Sequence, residues 1–332
     1  MVPKRPAIKR VTIQQVAEAA GVNRSTVSRV FNNPDILLEE TVRNVREVAR
    51  KLGYSPNAAA RALRTGRNSN IALVVPDLTN PFMPPIALAV QKEAAARGYS
   101  VFIGNADENP NQEMDLLKRL SDQVGGAVLV SPRSDSEQIH ALASDMPLVL
   151  INRDIKEVPR VLIDSGQGMA QAVRHLAQLG HRRVTYVGGP ENSWSNSQRC
   201  AAVTHAAHEH GISMSTLPAG TASFVRGVEI VPALLSCGAT ACIAFDDVLA
   251  QGICYGLVEN ELEIPEDYSV IGCDDILGYP MLTTVSGPAA KAGQIAVDLL
   301  MSSLNTPSEE DVRIVLETEF VSRDTVGPPK YR

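Results

Sequence analysis

The apolar and polar positions of this chain follow two different rhythms. Over residues 12–53 the apolar positions recur at helical spacing. Ile13, Val16, Ala17 and Ala20 stand at i, i+3, i+4 and i+7, so they line one face of a short helix. Thr12 with Gln15 three residues later forms a capping box that fixes where this helix starts. Gly21 stops it, because glycine enters a left-handed turn without steric cost. Asn23 is placed to cap a second helix, whose Val27, Val30 and Phe31 face the first. Two short helices joined by a Gly-containing turn predict a helix-turn-helix. After a turn at Pro34–Leu38, Val42, Val45, Ala49 and Leu52 make the apolar face of a third helix, ended by Gly53. Its first turn carries Glu39 and Glu40 and its last Arg50 and Lys51, which complements the helix dipole at both ends.

From Ile71 the rhythm changes. Short β-branched runs (IALVV, SVFIG, GAVLV, LVLI, RVLI, RVTYV, ACIAF, YSVIG) alternate with helical stretches such as IALAVQKEAAARG, QEMDLLKRLSD, MAQAVRHLAQLG and RCAAVTHAAHEHG. That alternation predicts parallel sheets covered by helices. Two sheets fit residues 71–164 and 165–290, with strands near 282–285 and 312–320 crossing back. Ligands in such sheets bind beyond the carboxyl ends of strands. Those ends include DLTNPF (77–82), NRD (152–154), GGPENSW (188–194), FDD (245–247) and CDD (273–275).

Charge sharpens the division. The 332 residues carry a net charge of −6, which taken alone argues against nucleic acid. Residues 1–67, however, hold 13 Lys+Arg against 5 Asp+Glu, and the remainder 18 against 32. A basic head on an acidic body is the footprint of a nucleic-acid-binding module attached to something else. The second helix leaves Arg24, Ser25, Thr26, Ser28 and Arg29 on its outer surface, residue types suited to base edges in a major groove. A plain helical hairpin with a solvated face is the alternative, and charge favours the first reading. Residues 1–10 form a basic, Pro-broken arm that phosphate would order. Between the two textures lies YSPNAAARALRTGRNSN, where Pro56 and Asn57 start a helix of about two turns, too short to persist alone. Leu63 there is either packing in a helical spacer or an apolar wedge for a minor groove, with Arg61 and Arg64 at the backbone.

Five cysteines (Cys200, Cys237, Cys242, Cys254, Cys273) form no CxxC pair, sit in apolar stretches and are expected as reduced core thiols. MVPKRPAIKR lacks an apolar stretch behind its charge, so no secretory signal is expected, and no uncharged run reaches a membrane span. The expected compartment is the cytoplasm. No GxGxxG, GxxxxGK[ST] or GxSxG sits at a strand-helix junction, and His205, His208 and His210 are joined by Glu209 alone. Neither a metal, a cofactor nor catalysis is expected.

Read together, TIQQVAEAAGVNRSTVSRVFNN, YSPNAAARAL, PDLTNPF, LGHRRVTYVGGP, DDVLAQG, VIGCDD, LTTV and FVSRDT resemble the LacI–GalR family in order and spacing over nearly the whole chain. The resemblance implies a helix-turn-helix head at 1–55, a hinge helix and linker at 56–70, and an effector-binding and dimerisation domain at 71–332. That domain would be two-lobed and periplasmic-binding-protein-like, one lobe about 71–164 and 291–318, the other about 165–290 and 319–332. The implied function is a sequence-specific transcriptional regulator, a repressor acting as a homodimer on pseudo-palindromic operator DNA. A small effector, a sugar, sugar phosphate or nucleoside, would control it. Alternatives are a transporter's solute-binding protein or a sugar- or nucleoside-processing enzyme with an added head. The implied DNA contacts are Thr12, Arg24, Ser25, Thr26, Ser28, Arg29, Asn32, Asn57, Leu63 and Arg64. The implied effector contacts are Phe82, Asn152, Trp194, Ser195, Arg199, Asp246 and Asp274. Asp247 is expected to fix a loop or helix start, and Asp164 a turn. Replacing Arg199 or Asp274 is expected to abolish effector control while leaving ligand-free behaviour nearly unchanged. Cys273 stands where the family has an aromatic residue, Gly125 where it commonly has Asp, and Ala222 where it has a second stacking ring, with Phe224 two residues on. These departures argue against a flat base held between two rings.

Overall fold

A computed structural model describes residues 11–54, 68–305 and 310–330, and divides the chain between Asn68 and Ser69 into two units. The expectations placed on Asn57, Leu63 and Arg64, and on the arm of residues 1–10, lie outside the described residues.

In the first unit, α1 (Ile13–Ala20), α2 (Arg24–Asn32) and α3 (Glu39–Leu52) enclose a small core of Val16, Ala17, Val27, Val30, Val45 and Ala49. The Thr12–Gln15 capping box is present, and Gly21 and Gly53 both end their helices in the left-handed region, at φ 66° and 70°. Two local expectations are corrected, at Asn23 and at Leu52. Asn23 occupies the N-cap position of α2, but its side chain makes no capping hydrogen bond; its carbonyl instead takes the Thr26 and Val27 amides. Pro34–Ile36 is a turn of 3-10 helix. Leu52 is exposed, while Ala49 and Tyr54 on either side of it pack on the small core.

The second unit begins with β1 (Asn70–Val75), α4 (Met83–Ala96), β2 (Ser100–Asn105), α5 (Pro110–Leu120), β3 (Ala127–Val130), α6 (Ser136–Asp145), β4 (Leu148–Ile151) and β5 (Arg160–Asp164). After it come α7 (Gly166–Leu179), β6 (Arg183–Gly188), α8 (Trp194–Glu209), β7 (Ser213–Pro218), α9 (Phe224–Glu229), α10 (Val231–Ser236), β8 (Ala241–Ala244), α11 (Asp247–Glu259) and β9 (Ser269–Ile271). Finally β10 (Thr284–Ser286), α12 (Ala289–Asn305), β11 (Arg313–Glu317) and β12 (Glu319–Val321) return across both halves. One parallel sheet runs β11-β5-β4-β3-β1-β2 and the other β7-β6-β8-β9, while β10 and β12 pair antiparallel. Helix α12 packs on α4, and β11 pairs with β5 from Arg313 opposite Arg160 to Glu317 opposite Asp164. Buried Arg160 bonds Asp154 and Asp311, and Arg313 reaches Asp154 at 3.0 Å, which fastens that last strand.

The central strands are apolar throughout because helices cover both faces. Strand β7, SMSTLP, is a half-exposed sheet edge with no apolar run. Helices α9 and α11 touch backbone to backbone: a Cβ at Gly252 would lie 2.1 Å from the Phe224 carbonyl oxygen. All five cysteines are free, but the core expectation fails for Cys237, which is exposed, and Cys200, which is half-buried. No helix among the described residues is long and apolar enough to cross a membrane.

Candidate functional site

In the first unit the capping box holds the start of α1, with the Thr12 amide 2.9 Å from the Gln15 side-chain oxygen. Three apolar side chains of α2 turn inward, so Arg24, Ser25, Arg29 and Asn32 are exposed and Thr26 and Ser28 half-buried on its other side. Asn32 donates its amide to the Ser28 carbonyl and, at 3.3 Å, to its hydroxyl, which stiffens the helix end. This face offers two cations, short hydroxyls and an amide. It can reach a major groove without first breaking an ion pair with a neighbour among the described residues.

In the second unit a cleft of about 340 Å3 lies between the two sheets. Its lining follows the carboxyl ends of parallel strands from both. Asp77, Asn80, Phe82 and Met83 come after β1, Asp107 and Glu108 after β2, Ser131 and Arg133 after β3, and Asn152 after β4. The facing wall takes Ser193, Ser195 and Arg199 after β6, Thr221, Ala222 and Ser223 after β7, Phe245 and Asp246 after β8, and Asp274 after β9. Of the eight non-glycine residues with positive φ among those described, five (Asp107, Glu108, Ser131, Asn152 and Asp274) line this cleft. Such backbone is costly for L-residues and concentrates where a site must be held in a set shape.

The structure therefore brings together Phe82, Asn152, Ser195, Arg199, Asp246 and Asp274, and leaves out Trp194. Trp194 is the first residue of α8; successive helical residues splay by about 100°, so Ser193 and Ser195 can face the cleft while the indole between them does not. Phe224 is likewise outside, packed on Tyr255 with ring centroids 5.6 Å apart.

Each charged group in the cleft has a defined setting. Arg199 is buried and fully engaged. Its Nη2 donates to Asp274 Oδ1 at 2.6 Å, its Nε to Ser165 Oγ at 3.2 Å and its Nη1 to the Phe245 carbonyl. The guanidinium also stands 4.9 Å from the Phe245 ring centroid. Burial works against its charge, but Asp274 and neighbouring groups outweigh that and raise its pKa. Asp246 caps α11, taking the Leu249 amide on Oδ1 at 2.9 Å. Across the cleft, Asn80 Nδ2 donates to its Oδ2 at 3.1 Å. Burial, reinforced by Asp274, pushes Asp246 up to about 7 from 3.8, against the Leu249 and Asn80 hydrogen bonds and Arg199. Asp247 faces away and holds the following loop, accepting from Thr284 Oγ1 at 2.6 Å and the Ile276 amide at 2.9 Å. Burial lifts it to about 8. Asp164 takes the Gly166 amide at 2.9 Å, the turn role expected of it.

Sequence reasoning missed the whole Arg133 corner. Arg133 is buried, with Nη2 on Glu108 Oε1 at 2.9 Å, Nε on the same carboxylate and Nη1 on the Ser131 carbonyl at 2.7 Å. The signal was available, since Glu108 and Arg133 follow the ends of two predicted strands.

Comparison with known proteins bears on both units. Residues 12–57 match the bacterial regulatory proteins of the lacI family, and residues 173–326 a periplasmic binding protein-like domain. Catabolite control protein A of Priestia megaterium is 30% identical, over 89% of this chain and 93% of its own. The structure of the lac repressor dimer bound to operator and the anti-inducer ONPF superposes with a TM-score of 0.86 at 25% identity, covering 96% of this chain and all of that one. A regulator from Enterococcus faecium with bound ribose gives 0.70 at 28% identity, over 79% of this chain and all of that one.

Proposed function

Given that the chain belongs to the LacI family of bacterial regulatory proteins and is a DNA-binding transcriptional regulator with an effector domain, we propose that it is a cytoplasmic repressor controlled by a small hydroxylated effector of the sugar or nucleoside class. Phe82, Asn152, Ser195, Arg199, Asp246 and Asp274 bind that effector. On DNA, Arg24, Ser25 and Arg29 read bases, and Thr12, Thr26, Ser28 and Asn32 contact the backbone. Asn57, Leu63 and Arg64 are further operator contacts, Leu63 at the minor groove. A homodimer presents two α2 recognition helices to half-sites about 10 bp apart.

The observation that carries the effector reading is the cleft itself, lined by residues that follow eight strand ends and rich in both donors and acceptors. Vicinal hydroxyls can accept from the Arg199 N–H groups and donate to Asp274, with Phe82 beneath an apolar ring face. The ribose held by the Enterococcus faecium regulator supports the same class. An enzyme is disfavoured because the buried carboxylates are already committed: Asp246 to a helix cap and Asn80, Asp274 to Arg199.

The test is a thermal-shift panel of sugars and nucleosides, paired with operator titration. A true effector at about a hundred times its Kd adds about 2.7 kcal/mol to the stability of the native state and moves the operator midpoint. A panel in which no compound changes either one defeats the effector reading.

A further inference from the structure

The two cations lining the cleft are each neutralised from within. Arg133 lies in a two-pronged contact with Glu108, and Arg199 in an ion pair with Asp274, and every guanidinium nitrogen of both already donates to the protein. The carboxyl groups left without a cation in the lining are Asp77, Asp107 and Asp246. Asp77 accepts from the Thr79 amide at 2.8 Å and hydroxyl at 2.7 Å, Asp246 from the Leu249 amide and Asn80, and none of the three forms an ion pair among the described residues. Asp246 is almost completely buried, so water screens it little.

We propose that the cleft selects its effector by charge, taking an uncharged polyol or nucleoside and refusing the phosphorylated or carboxylated form of the same molecule. The proposal rests on the effector reading above and narrows it. A phosphoryl group needs cations with charge to spare, as lone Lys or Arg groups or several convergent backbone amides provide. Here Glu108 and Asp274 already neutralise both cations, so a phosphoryl oxygen that accepts a spare guanidinium hydrogen meets no net positive charge. It would also bring a second anion beside a carboxylate whose ionisation burial already opposes. A hydroxyl meets neither obstacle. It donates to a carboxylate and accepts from the second hydrogen of Arg199 Nη1 or Nη2 without displacing the ion pair.

Calorimetric titration of the full chain with matched pairs provides the test: ribose and ribose 5-phosphate, glucose and glucose 6-phosphate, glucose and glucuronate, adenosine and its 5′-monophosphate. In any pair that binds, the uncharged member should bind roughly tenfold tighter or more at pH 9, where Asp246, raised only to about 7, is ionised, and the ratio should narrow towards pH 6. Asp246→Asn should shrink that ratio at least severalfold. Asp77→Asn, at a half-exposed residue held by Thr79, gives the same reading if Asp246→Asn fails to fold. Equal or tighter binding of a phosphorylated or carboxylated member, or a ratio unmoved in both variants, overturns charge selection and leaves the effector reading standing. Binding of neither member in any pair overturns both.

Discussion

Replacing Arg199 with methionine should damage the ligand-free protein, contrary to what its place in a binding site suggests from sequence. Methionine roughly fills the volume but carries no donor. The substitution leaves Asp274, a side chain only 8% exposed, without its cation, and strips partners from the Phe245 carbonyl and Ser165 Oγ. Breaking a buried pair from one side typically costs about 3–5 kcal/mol, because the surviving charge stays buried. At about 2–4 °C per kcal/mol for a domain of this order of size, the effector unit should melt roughly 6–20 °C lower. Circular dichroism melts of wild type, Arg199→Met and the double variant Arg199→Met/Asp274→Asn, in which asparagine keeps the positive φ of position 274, measure this directly. The double variant removes both charges and should recover most of the lost stability. A single variant that melts within about 2 °C of wild type, or a double variant no better than the single, refutes this account of the pair.

Asp246→Asn should flatten the pH dependence of stability. A carboxyl raised to about 7 in the fold, from 3.8, favours the protonated native state, so stability falls as pH rises from about 4 to 7 and levels off above. Asp247, raised to about 8, sustains part of the slope in the variant, and urea midpoints from pH 5 to 8 read the difference. Arg29→Ala should cost roughly 1–3 kcal/mol on operator and relax specificity at one position per half-site; equal losses on operator and random DNA reduce it to a phosphate contact. Gly252→Ala should destabilise the effector unit by about 1–3 kcal/mol by forcing α11 from the Phe224 carbonyl, visible as a lower melting temperature.

What the sequence made legible was local or periodic. The Thr12–Gln15 box and Gly21 fix α1 through contacts three or four residues apart, and unbroken apolar runs such as Ile71–Val75 announce strands covered on both faces. Strand β7 was hidden because an exposed edge needs no apolar run, and SMSTLP carries none. A different reason hid part of the cleft. The family resemblance named Phe82 and Asp274, in DLTNPF and CDD at two strand ends, whereas Asp107, Glu108 and Arg133 follow β2 and β3 in segments rich in Asn, Pro and Ser that read as turns. Their meeting depends on pairing between distant strands. Nor does residue type reveal that Arg199 is a structural group as well as a binding one; its ion pair joins residues 75 positions apart.

Strand β11 has a consequence for how the protein is made. The sheet that starts at Asn70 takes its edge strand from residues 313–317, after the whole second sheet has been synthesised. On the ribosome β5 therefore emerges with an open hydrogen-bonding edge and waits about 150 residues for its neighbour, roughly 8–30 s at ordinary elongation rates of about 5–20 residues per second. An uncovered parallel edge is a template for pairing with other chains. Until then Arg160 also lacks Asp311, one of the two carboxylates that neutralise it in the finished fold. The second half of the effector domain thus has to be born beside an incomplete first half. Demand on chaperones should peak just before residues 313–317 leave the exit tunnel.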